Sequence, residues 1–143
     1  MKKIFLTSLI SCFMLLLLFV LTGCSTSNTA NIILSKENYK ETTEKYAEEN
    51  KDSDDLVYFA YATSNYIFKD GLANAFNMEM TEDQKETESY KNIYGKTINQ
   101  LVQEGKNLMK ENNMTVEKYK ETLQNLSNSI NTFNKTMSSG GGE

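Results

Sequence analysis

Apolar residues recur at alternating spacings of three and four along most of this chain, the period of helices and not of strands. The clearest run is NMTVEKYKETLQNLSNSINTFNKTM, residues 113–137. Here Val116, Tyr119, Leu123, Leu126, Ile130, Phe133 and Met137 lie 3, 4, 3, 4, 3 and 4 residues apart. That is a heptad seam kept for three repeats. Thr115 is placed to cap the helix, with Met114 and Tyr119 as a hydrophobic staple across the cap. Leu126→Asp should cost several kcal/mol because it puts an unpaired charge in the seam. The preceding stretch, TEDQKETESYKNIYGKTINQLVQEGKNLMKE, reads as one helix that opens with a capping box of Thr81 and Gln84. It carries Tyr94, Ile98, Leu101, Gly105 and Leu108 on one stripe. ENNM, residues 111–114, has the length of a tight connection between helices, so the two should fold back as an antiparallel hairpin. Gly105 lies on the stripe, where it is either a local weakness or a site of close backbone approach.

A third helix is expected in DDLVYFAYATSNYIFKDGLANAFNMEM, residues 54–80. Residues 56–62 are apolar almost all round and therefore have to be covered by other elements. The VYFAY core also has strand propensity, and Gly71 is expected to kink or break the helix. A shorter first helix starts at Ser35, with Leu34 and Tyr39 as its staple, and runs through ENYKETTEKYAEE. SKENYKET and TVEKYKET nearly repeat each other. The shared physics is that of a capped helix start, so the pair is read as that and not as a duplicated binding element. DSDD, residues 52–55, fails the calcium-loop pattern because Leu56 and Val57 follow it. It reads as a helix N-terminus whose acids complement the dipole. The fold class is thus all-α, a small bundle of three to four helices with an antiparallel C-terminal hairpin.

The first 23 residues differ from the rest. Lys2 and Lys3 precede an unbroken apolar run, FMLLLLFVL, of signal-peptide length. An uncleaved spanning segment is the competing reading, although Thr7, Ser8 and Ser11 interrupt the stretch. The run ends in Leu21-Thr22-Gly23-Cys24, which resembles the lipobox of bacterial lipoprotein precursors. The resemblance implies cleavage between Gly23 and Cys24, a diacylglyceryl group on the Cys24 sulfur and, in some members, an acyl group on the new amino terminus. It also implies a location on the extracytoplasmic face of the cell membrane. The Lys-, Asn- and Ile-rich composition suggests a Gram-positive host. The expected organisation is a signal peptide at 1–23, a lipidated Cys24 and flexible tether at 24–34, a helical domain at 35–137 and a glycine-rich tail at 138–143.

Composition narrows the chemistry. The chain has no His, Pro or Trp, and all 15 of its basic residues are Lys. Histidine-based catalytic units, histidine metal ligation and the bidentate guanidinium fork are therefore absent. Of the two cysteines, Cys12 would leave with the signal and Cys24 would be lipidated, so no intramolecular disulfide is expected. Residues 24–143 carry 13 Lys against 19 acidic residues, an acidic balance that disfavours nucleic acid and anionic headgroups as partners. No metal, and no cofactor beyond the covalent lipid, is expected. Eight tyrosines offer a binding surface of low entropic cost, and Tyr61 and Tyr90, off the main stripes, are the candidates for partner contact. The functional expectation is non-catalytic protein binding at the membrane, in the manner of small lipoproteins that act as immunity or exclusion factors. The other classes are an accessory subunit of an envelope or conjugative-transfer machine, and a precursor whose signal releases a pheromone-like peptide.

Overall fold

A computed structural model describes residues 28–139 of the chain, with side chains to residue 136. Five α-helices follow a short 3-10 turn at Asn28–Asn31: α1 (Tyr39–Glu49), α2 (Asp54–Ala75), α3 (Glu82–Ser89), α4 (Ile98–Glu111) and α5 (Val116–Ser139). No strand occurs among the described residues, and the strand-prone VYFAY segment is helical. It lies inside the fold because α2 is the axis of the bundle: α4 packs along it, α3 covers part of its C-terminal half and α5 crosses its N-terminal half. Phe59, Ala62 and Thr63 on α2 are buried, as are Ile98, Leu101 and Val102 on α4.

The closest approach in the bundle explains a glycine. A Cβ added to Gly105 would lie 1.9 Å from the carbonyl oxygen of Tyr58. Only a residue without a side chain lets α4 press against the α2 backbone there. Gly105 is the close-approach site, and the local-weakness reading is discarded. Gly71, in contrast, neither ends α2 nor marks a break, since the helix runs through it to Ala75.

Caps fix the helix starts. Ser53 accepts from the Asp55 amide at 3.1 Å, with Asp54 and Asp55 in the first turn of α2, as DSDD predicts. Thr81 and Gln84 form a full capping box at α3. Thr115 accepts from the Lys118 amide at 3.2 Å to open α5, and the staple residues Met114 and Tyr119 pack in one cluster. Before it, Asn113 adopts a left-handed conformation with φ 49. The Met114 amide donates to the Met109 carbonyl at 2.8 Å, closing α4 with a Schellman turn.

Three expectations are corrected. The stretch 81–111 is two helices and not one: α3 ends at Ser89, and a second capping box of Thr97 and Gln100 starts α4. Residues 90–97 between them turn through Gly95, whose φ of 87 suits glycine. The N-terminal boundary of the packed domain also moves. Residues 28–34, expected as tether, are held in place: Thr29 is buried and donates to Glu49 at 2.9 Å, Leu34 is 1% exposed, and Leu34 exchanges backbone hydrogen bonds with Gly95 and Lys96 at 2.9 and 2.8 Å. Because Leu34 is pinned there, α1 starts at Tyr39 and not at Ser35. Asn38 bridges the turn by accepting from the Ser35 amide and donating to the Ile33 carbonyl. Finally, the hairpin of α4 and α5 is open. Burial of the α5 seam stops near Leu123, and Leu126 and Phe133 are 37% and 64% exposed.

Candidate functional site

Gly23 and Cys24 lie outside the described residues, as do the tail beyond Ser139 and the side chain of Met137. The tyrosines can be placed. Tyr61 is not a surface residue: it is 6% exposed, meets Tyr119 edge-on with centroids 5.0 Å apart, and accepts from the Asn112 amide at 3.0 Å. It belongs to the core where α2, α4 and α5 meet, so the expectation of partner contact at Tyr61 is withdrawn. Tyr119 pairs its hydroxyl with Ser64 at 2.9 Å, and burial pushes its pKa up. Tyr90 is half-buried and stacks on Tyr94 at 5.2 Å, with Tyr39 edge-on at 5.1 Å. This trio joins α1 to the 90–97 turn, which gives Tyr90 a packing role on the inner side of its ring.

Polar chemistry is confined to small, saturated groups. Glu104 accepts from the Tyr66 hydroxyl at 2.6 Å and from the Lys96 ammonium at 2.8 Å, and that ammonium also lies 5.0 Å over the Tyr66 ring. Burial, then the Glu104 hydrogen bond, pushes the Tyr66 pKa up to about 12. Asp70, 7% exposed, accepts from the Asn92 amide at 2.6 Å. No buried side-chain polar atom among the described residues lacks a partner, so none is left aimed at a ligand. No cluster of three or more His, Cys, Asp or Glu residues able to hold a metal occurs among them. A groove of about 370 Å³ lies between the starts of α2 and α5 and the end of α4. Its lining mixes Asp54 and Glu117 with Lys106 and Lys110. Asp54 already meets Lys120 at 3.5 Å and Asp55 meets Lys106 at 3.1 Å, so the groove offers no net charge to a ligand.

The feature that stands out is apolar. Phe68, Leu72 and Phe76 follow one another at intervals of four on the outer face of the end of α2 and are 64%, 52% and 78% exposed; Met78, just beyond, is 91% exposed. On the opposite face Ile67, Asp70 and Gly71 are buried. Two exposed phenylalanines, a leucine and a methionine thus lie on neighbouring turns, and aromatic and thioether groups are the kinds in which interfaces are enriched. Hydrophobicity and period alone do not reveal which face of a helix remains uncovered. No protein-family model, curated protein or solved structure matches this chain. No described helix is long and apolar enough to cross a membrane.

Proposed function

We propose that this protein is a lipoprotein held to the extracytoplasmic face of the cell membrane through Cys24, and that it works by binding another protein without catalysis. The observation that carries the binding part is the exposed run Phe68, Leu72, Phe76 and Met78 at and just beyond the end of α2. Fully burying a phenylalanine or leucine from such a face contributes roughly 1.5–3 kcal/mol of transfer free energy, part of which is offset by the freedom lost on association. The anchoring part rests on LTGC and the apolar run before it. Five residue steps separate Cys24 from Thr29, the first buried residue among those described, and an extended chain of that length spans at most ~18 Å. The domain would therefore lie close against the bilayer, suited to meeting a membrane-bound or membrane-penetrating partner, as an immunity or exclusion factor does.

Two arms test the proposal together. Labelled palmitate should enter the wild-type chain and not Cys24→Ala, and that variant should remain as uncut precursor. Phe76→Asp should leave anchoring intact and abolish the biological effect. A wild-type chain that takes up no palmitate defeats the anchor, and a fully active Phe76→Asp defeats the binding surface.

A further inference from the structure

The seam on α5 changes partner half-way along. Val116 and Tyr119 are buried against Ala60, Tyr61 and Met109 of the same chain. Beyond Leu123 the seam is progressively less covered, with Ile130 half-buried and Leu126 and Phe133 37% and 64% exposed, and the helix continues to Ser139. With Val116, Leu123 and Ile130 as the a positions and Tyr119, Leu126 and Phe133 as the d positions, the flanks can be read. In the covered half the e position is Lys120, which meets Asp54 of its own chain at 3.5 Å. In the uncovered half the e and g positions are Ser127, Ser129, Asn134 and Thr136, all neutral. The one charge of that half, Lys135, takes the f position, farthest from the seam.

Flanking charges choose the partner of a coiled coil and fix its register. A helix of different sequence with charged flanks finds nothing complementary here. An identical helix meets no like charge. We infer that a second copy of this chain covers the uncovered half, α5 against α5, as a short two-helix coiled coil over residues 123–139. That length is about 24 Å, between four and five turns, so the pairing is reversible and grows with local concentration. The inference uses residues separate from the α2 face and does not depend on lipid attachment.

Two differently tagged full-length copies are co-expressed, one with photoreactive benzoylphenylalanine at Phe133. Irradiation should give a band of twice the mass carrying both tags. The same probe at Asn128, an outer f position, should give at least tenfold less. Ile130→Asp in both copies should reduce the Phe133 product at least tenfold while the helical spectrum is kept. Capture of a different protein, no product at Phe133, equal product at Asn128, or indifference to Ile130→Asp would each overturn self-pairing.

Discussion

The two halves of α2 both carry large apolar side chains, and these meet opposite fates. From Leu56 to Ile67 the helix is wrapped: Leu56, Phe59, Ala60, Tyr61 and Ala62 are buried beneath α4 and α5. From Phe68 onward only one face is covered, and the large apolar side chains on the other stand in water. Helix α5 shows the same division, with Val116 and Tyr119 inside and Phe133 outside. Hydrophobic content thus marks two different roles in one helix. The first half holds the molecule together. The second contributes little to its stability and is available to something else, since a large exposed apolar group on a monomer is retained at the risk of aggregation.

Substitutions that separate the halves sharpen this contrast. The largest effect is expected at the close approach: Gly105→Ala puts a methyl group into the Tyr58 carbonyl, and because backbone has to move the loss should reach about 3 kcal/mol or more, read as a lower denaturant midpoint. Leu101→Ala, in the buried seam of α4, should cost about 2–5 kcal/mol by leaving a cavity. A cost below about 1 kcal/mol would mean that the bundle is looser than its packing implies. Thr97→Ala removes the capping box of α4 and should cost about 1 kcal/mol, with Thr97→Ser nearly neutral. At the small end, Phe76→Ser and, in the unpaired chain, Leu126→Asp lie on uncovered faces and should each change stability by about 0.5 kcal/mol or less. For Leu126 this reverses the expectation drawn from the heptad pattern alone.

What was legible in the sequence follows the same line. The helices, three of their caps and the staple at Met114 and Tyr119 could be read because each depends on residues within one turn of one another. The break between α3 and α4 was legible too: Thr97-Ile98-Asn99-Gln100 is a capping box behind a glycine, but Tyr94 falls in register with Ile98 and Leu101 and conceals it. Four things were not legible. The role of Gly105 depends on Tyr58, 47 positions away. The bridge that secures Leu34 depends on residues 95 and 96, and the burial of Tyr61 depends on how α5 crosses α2. Exposure of Phe68, Leu72 and Phe76 is a matter of which helices exist to cover them, and that is a property of the whole fold.

The most direct measurement compares the anchored wild-type chain with Phe68→Asp/Phe76→Asp in a pull-down from solubilised membranes, with the unfolding midpoint of each recorded in parallel. The account predicts that the double variant loses the protein recovered by the wild type while its midpoint and helical spectrum stay the same. Retained recovery, or a midpoint that collapses as it would for a buried position, would contradict the claim that the uncovered half of α2 is where this protein acts.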